Sequence, residues 1–393
     1  MSDRRHNPKT ALALVSTLAA LAIMACNLGG SATATATPVP LPSNTPAPTA
    51  VPATATAVST ATLEPPMATP TATPAPTIIL AVAGTDHKIG LVTFDGQSLP
   101  LAQAPGNLYA LAMLSSDAIA SAKAYSIGPQ GAQELTFVNN SSDGFASFTG
   151  ASAPHGEVAW DHWVTNAASS TLSSEIFVAN SDGSNLRSVL KLSSDHVLHV
   201  VRFSTDGQRL FYSQEPLGLG GYILFDGISS LFALDLASGA TTQLVPSAAA
   251  GIICLDDFTP AVSLVALHCS KNTIDILDTT TGNIGLITPP SEVTDWSLHG
   301  TARISPDQTH VAYALARGTP DNEQGWVAVS DDITGTSRLV ATSPPGDFFS
   351  VKGWLNNTTL VLQSRGAKPG VWVVQSDGSD LRRLADGIFL GGG

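Results

Sequence analysis

Residues 175–180, Glu-Ile-Phe-Val-Ala-Asn, alternate polar and apolar side chains with the period of a strand, and Ser181-Asp182-Gly183 follows with an Asx side chain and a glycine. That order predicts a strand running into a tight turn and returning antiparallel. Residues 197–203 form a mostly apolar strand, Ser204-Thr205-Asp206-Gly207 turns it, and residues 208–213 lead back. The chain thus writes two hairpins of one kind in under forty residues.

The same phrase returns elsewhere. Ser376-Asp377-Gly378-Ser379 near the C-terminus repeats Ser181-Asp182-Gly183-Ser184, and residues 302–314 match residues 201–213. Near-identity across such gaps is an internal repeat, and its period of roughly 40–50 residues is that of four-stranded propeller blades. The phrases ISPDQTHVAYA and WVVQSDGSDLRRL resemble the TolB-type, WD-like β-propeller repeats, which also build the propellers of prolyl-oligopeptidase-like enzymes. The resemblance covers residues 78–393 and implies an architecture, since one superfold hosts many functions. The fold expected is an all-β single propeller of about seven four-stranded blades, with six and eight as the alternatives: residues 78–104, 107–150, 156–192, 199–246, 251–290, 295–342 and 349–385. The first block is one strand short, and Gly387-Ile388-Phe389-Leu390 beyond the last is the candidate to close the ring.

The N-terminus supplies an address. Arg4, Arg5 and Lys9 precede an apolar stretch over residues 11–22, too short for a comfortable membrane span, and residues 1–25 read as a signal peptide. Ile23-Met24-Ala25-Cys26 resembles the bacterial lipobox, apart from Met24 where a smaller residue is usual; the resemblance implies lipid transfer to the Cys26 thiol and cleavage before it. Residues 27–77, mostly Ala, Thr, Pro, Ser and Val, cannot bury enough apolar surface to offset their ordering entropy, so residues 26–77 read as a lipidated cysteine on a disordered tether. The implied location is the outer side of a cytoplasmic or outer membrane. A formal charge of −13, with no Lys or Arg run longer than a pair, excludes a phosphate-backbone partner, so no nucleic acid is expected.

The chemistry sought is mostly missing. The chain has no HExxH, GxSxG, P-loop or CxxC motif, and no cofactor is expected. His196 and His199 are three apart in a strand, on opposite faces, which argues against a shared metal. Cys254 and Cys269 are read as buried small hydrophobes rather than a disulfide, because a hairpin turning near residues 257–260 would put Cys254 opposite residue 264. Asp161-His162-Trp163 follows residues 158–160, read as an inner strand, and is a more reactive-looking cluster, although an Asp and a His satisfying turn backbone and a Trp packing between blades is the favoured reading. Arg202 and Arg303 hold equivalent repeat positions, which favours local pairing with turn carboxylates and carbonyls over an anion-binding ring that Ala159 and Gly353 would interrupt.

Two functions fit. The first is a non-catalytic cell-surface lipoprotein, tethered to the membrane, that binds a protein, peptide or glycan through a face of long, dissimilar loops. The loop over residues 214–230 is outstanding there, and Leu219, Tyr222 and Phe225, with Asp161 and His162, are the expected partner-binding residues. The alternative is a propeller hydrolase or lyase working at the channel mouth. Peptidase activity is not carried over from the oligopeptidase resemblance, because the chain reaches Gly393 just after the last blade without an α/β-hydrolase domain.

Overall fold

The alternation along residues 171–180 becomes the strand Thr171–Asn180, in which Leu172, Ser174, Ile176 and Val178 are buried while Ser173, Glu175 and Phe177 are partly exposed. The computed structural model describes residues 79–392, apart from residues 85–87, 104–109, 115–122, 129–130, 139–149, 154–155, 167–170, 217–223, 225–226, 246–253, 319–322 and 367–368. The signal peptide, Cys26, the tether, and Leu219, Tyr222 and Phe225 lie outside the described residues.

The protein is a β-propeller, whose only helix among the described residues is the single 3-10 turn Leu101–Gln103. Hydrogen bonding groups the strands into six sheets. The first runs Ile388–Gly392, Ile79–Ala83, Ile89–Thr93, Ser98–Leu99; the second has three strands, Ala110–Leu114, Lys123–Gly128 and Gly131–Glu134. The third runs Gly150–Ser152, Glu157–Asn166, Thr171–Asn180, Arg187–Ser194, and the fourth His196–Phe203, Arg209–Pro216, Leu231–Asp235, Thr241–Val245. The eight-stranded fifth joins Leu255–Phe258, Leu264–Leu267, Ile274–Asp278 and Ile284–Thr288 to Gly335–Thr342, Gln324–Ser330, Val311–Arg317 and Leu298–Ile304. Its two antiparallel halves meet at a short parallel seam, Ile287 beside Gly335 and Thr288 beside Thr336, and a count of seven blades requires cutting it there. The sixth is Phe349–Trp354, Thr359–Ser364, Gly370–Gln375 and Arg382–Asp386.

The core lies between sheets. In Arg209–Pro216, Leu210 and Tyr212 pack towards Ile176 and Val178 of the preceding sheet, whereas Phe211 packs on Phe258 and Val265 of the following one. A strand covered on both faces loses the alternation of a half-solvated one, hence the continuous Leu210-Phe211-Tyr212 run. All three are essentially inaccessible, and burying each stabilises the fold by about 1.5–3 kcal/mol.

The first strand of a sheet has one edge without a ladder partner, and its N–H groups must be satisfied some other way. Side chains of the preceding sheet, or of the preceding half of the eight-stranded one, do this. Asp161 Oδ2 accepts from Val200 N at 2.9 Å and Ser174 Oγ from Leu198 N at 2.8 Å. Asp256 and Asp257 accept from Ala302 N and Ile304 N, each at 2.9 Å, and Thr301 Oγ1 from Val351 N at 3.1 Å. Gln363 Oε1 accepts from Phe389 N at 2.8 Å.

The C-terminal strand Ile388–Gly392 pairs with Ile79–Ala83 and completes the first sheet. Three expectations are corrected. Residues 158–160 belong to the second strand of their sheet, because Gly150–Ser152, too short to show periodicity, precedes it. Cys254 and Cys269 form a disulfide with Cα atoms 5.0 Å apart. The hairpin turns at residues 259–263 instead, pairing Leu255 with Leu267, and a later turn moves every partner by twice its displacement. Finally, Arg202 and Arg303 do not serve their own turns: Asp206 and Asp307 are engaged by Ser204 and Ser305 at 2.6 Å, and the arginines reach carbonyls of residues 256 and 258.

Candidate functional site

A cavity of about 670 Å³ opens where the loop after Leu264–Leu267 meets the segment leading into Leu298–Ile304. His268 and Ser270 come from the first of these, Trp296 and His299 from the second, and Leu224 from the loop over residues 214–230. All lie at the strand ends opposite the tight Ser-x-Asp turns, on the long-loop face. Gly300 allows this convergence: a Cβ there would sit 2.8 Å from the Leu224 carbonyl oxygen.

Asp256 forms the floor and is fully buried. Its Oδ2 accepts the Ala302 N–H and lies 2.9 Å from His268 Nδ1, an ion-pair approach rather than an aligned hydrogen bond; Oδ1 has no hydrogen-bond partner among the described residues. Burial pulls the His268 pKa down, but the Asp256 carboxylate outweighs it, and the net position is above the ordinary imidazole value. His299 goes the other way. Burial and then the neighbouring His268 charge lower its pKa, with carbonyls of residues 270 and 271 opposing.

The two rings stand edge to face with centroids 6.1 Å apart, and Trp296 packs 5.5 Å from His299. His299 Nε2 lies 2.8 Å from the Ser270 carbonyl oxygen, which can only accept, so Nε2 carries the proton. Nδ1 then keeps its lone pair, and it has no hydrogen-bond partner among the described residues. The two imidazoles, facing one cavity, are thus shifted in opposite directions from their ordinary value. The Cys254–Cys269 disulfide fixes the residue after His268 to the start of the strand that bears Asp256.

The residues expected from sequence fall elsewhere. Asp161 is fully buried, and its carboxylate bonds Val200 N and lies 3.7 Å from His199 Nδ1, so it does not line a surface. His162 is partly exposed on the same strand, its pKa lowered chiefly by burial. His196 pairs instead with Asp195 at 2.7 Å, so the two histidines go to different carboxylates. Among the described residues no three His, Cys, Asp or Glu side chains converge as metal ligands. Sequence reasoning missed Asp256, His268 and His299, which belong to three separate segments with no fixed spacing. The one available signal was Asp256-Asp257 inside an otherwise apolar strand, because adjacent buried carboxylates are costly without dedicated partners.

No protein-family model matches the chain, and no curated protein does either. Solved structures similar to it are β-propeller proteins. Oligogalacturonate lyase in complex with manganese is 14% identical with a TM-score of 0.37, the match covering 61% of this chain and 62% of that one. The β-propeller domain of the Trilobed protease from Pyrococcus furiosus, described as having an open velcro topology, is 12% identical with a TM-score of 0.38 over 61% and 71%. The Pyrococcus horikoshii acylaminoacyl peptidase is 10% identical with a TM-score of 0.36 over 61% and 39%. The chain therefore spans less than two thirds of the lyase and of the acylaminoacyl peptidase. Against the expectation that the chain is not an enzyme, the proteins so matched are a lyase and peptidases, although at these identities the likeness shows the fold alone. That expectation rested on missing local motifs, and a propeller can assemble its reactive groups from different strands, as Asp256, His268 and His299 are assembled here.

Proposed function

We propose that the chain is a propeller hydrolase or lyase that breaks a C–O bond of a glycan or ester substrate by acid–base chemistry in the His268–His299 cavity. The observation that carries this reading is the pair of imidazoles of opposite poise facing one cavity. His299 Nδ1 takes a proton from a substrate carbon in elimination, or from a water in hydrolysis. His268 in its protonated form, which the neighbouring Asp256 favours, returns one to the departing oxygen, so the proton count closes. Trp296 offers an apolar wall for a flat ring. In the same proposal Cys26 carries a lipid and residues 26–77 hold the propeller off the membrane, facing an extracellular polymer. Cys26→Ser should then release active protein from the membrane fraction.

The test is turnover by the purified full chain on uronate-containing and neutral polysaccharides, followed by unsaturated product and by reducing ends, and on ester substrates. His299→Gln and His268→Gln should each lower kcat by about 10²–10⁴, the usual span for losing a general acid or base. With the acid's pKa raised and the base's lowered, kcat/KM should form a plateau that spans the ordinary imidazole value, falling on the acid side as His299 protonates and on the alkaline side as His268 loses its proton. Turnover unaffected by both substitutions, or none on any substrate class, would reject the reading.

A further inference from the structure

A second cavity, of about 440 Å³, lies at the opposite, tight-turn end of these strands, and it is cationic. Arg202, Arg303 and Lys352 line it, against Asp257 as its one carboxylate. The whole chain has only 18 Lys and Arg and a formal charge of −13, so three cations at one cavity is a marked local concentration.

Structural duties use only part of the two guanidinium groups. Arg202 donates through Nη2 to the Phe258 carbonyl, lies 4.0 Å from Asp257 through Nη1, and stacks 3.9 Å over the Phe258 ring. Arg303 donates only through Nη1, at 2.8 Å to the carbonyls of Asp256 and Ala302. Each guanidinium carries five N–H donors in a planar fork, and Nε and Nη2 of Arg303 have no hydrogen-bond partner among the described residues. Asp257 brings one negative charge to two guanidiniums, and its Oδ2 also accepts the Ile304 N–H. Burial is the main cause that lowers the Arg202 pKa; Asp257 opposes it, and repulsion from Arg303 adds a smaller lowering. The walls are fixed: Trp354 Nε1 donates to the Arg303 carbonyl at 2.9 Å and holds its indole beside the cavity.

We propose that this cavity binds an oxyanion, a phosphate or carboxylate group held by the free fork of Arg303 with Arg202 and Lys352 supplying charge. Planar bidentate recognition is what arginine offers such groups, and a bound anion removes the repulsion between the guanidiniums. The site is separate from the His268–His299 cavity and does not depend on the reaction proposed there.

The experiment is calorimetric titration of the purified full chain at low ionic strength with inorganic phosphate and, separately, with citrate, against sodium chloride of matched ionic strength. Saturable binding of either probe is expected, weakened at least roughly tenfold by Arg303→Met and less by Arg303→Lys, which keeps the charge and loses the fork. Phosphate binding without citrate would assign the site to phosphate esters, and the reverse to carboxylates. Arg317→Met is the charge control, since Arg317 pairs with Asp295 away from the cavity, and it should bind as the parent does. If Arg303→Met does not fold, Arg303→Lys alone carries the comparison. Heats no larger than those of chloride, or binding unchanged by Arg303→Lys, would overturn the proposal.

Discussion

The fully buried carboxylate of Asp161 accepts the backbone N–H of Val200 from 39 positions away in sequence, joining two consecutive sheets. Removing it leaves an N–H on an unpaired inner edge with no partner. Asp161→Ala should therefore lower stability by about 1–3 kcal/mol, the desolvation cost of an orphaned buried donor. Denaturant unfolding with an unchanged slope would measure it, and a loss below a few tenths of a kcal/mol would show that another group takes over the bond.

The disulfide gives a redox prediction. Cys254 and Cys269 are 15 positions apart, and a cross-link closing a loop of that size stabilises by about 3 kcal/mol in the chain-entropy model. Cys254→Ser with Cys269→Ser should cost that much, and reductant should destabilise the parent while leaving the double variant unchanged. Equal melting of parent and variant without reductant would show that the bridge does not form in solution.

One turn position is filled against its backbone. Gly207, Val262 and Gln308 occupy it in three hairpins, with φ of 67°, 57° and 62°, and each donates to the carbonyl three residues earlier. Glycine adopts this region without penalty, whereas other residues pay about 1–2 kcal/mol. Gln308→Gly should thus stabilise by up to about 1 kcal/mol after glycine's extra unfolded-state entropy is subtracted. Val262→Gly should not gain, since Val262 is buried in the core. Thermal melts of both variants compare strain with packing directly.

Acid should act through the turns. Asp182, Asp206, Asp307 and Asp377 each accept from a neighbouring hydroxyl and a backbone N–H, and these bonds hold their pKa values below the ordinary carboxylate value. A lowered folded pKa contributes stability that is complete above the unfolded value and is lost as pH falls through the folded one. The melting temperature should hold steady from neutrality down to the ordinary carboxylate range and decline below it. Replacing all four with Asn should flatten that decline; an unchanged acid limb would assign it to other carboxylates.

Gln363 clasps the C-terminal strand. Its Nε2 donates to Gly387 O at 2.9 Å, and its Oε1 accepts from Phe389 N at 2.8 Å. Gln363→Leu keeps the bulk and orphans both partners, so it should cost about 1–3 kcal/mol. Deleting residues 388–392 should lower the melting temperature further and produce oligomers by size exclusion, because it bares the edge of Ile79–Ala83. A monomer of unchanged melting temperature would show that the strand does not close the sheet in solution.

The architecture was legible because it repeats: Ser181-Asp182-Gly183 and Ser376-Asp377-Gly378 fix turns by local chemistry, and the intervening strands carry their burial in the alternation. Gly150–Ser152 was not legible, being only three small residues. The disulfide was lost to a turn displaced by a few residues, an error that local patterning cannot correct. The site was hidden for a different reason, since Asp256, His268 and His299 meet only through pairing between strands and packing between the two halves of the eight-stranded sheet. Among the described residues of the loop singled out from sequence, Leu224 lines that cavity.

Leu80 pairs with Gly392, so the ring is sealed by residues more than three hundred positions apart. Bringing such distant segments together has the largest entropic cost of any contact in the fold, and it is repaid only once the intervening sheets hold the two ends near each other. Sealing is therefore expected as the last event of folding. Until it happens the chain is an open arc with two bare ends, and at high concentration the five-residue strand of one molecule can complete the arc of another. Slow refolding from concentrated solution should accordingly trap exchanged dimers, while dilute refolding yields rings closed on themselves.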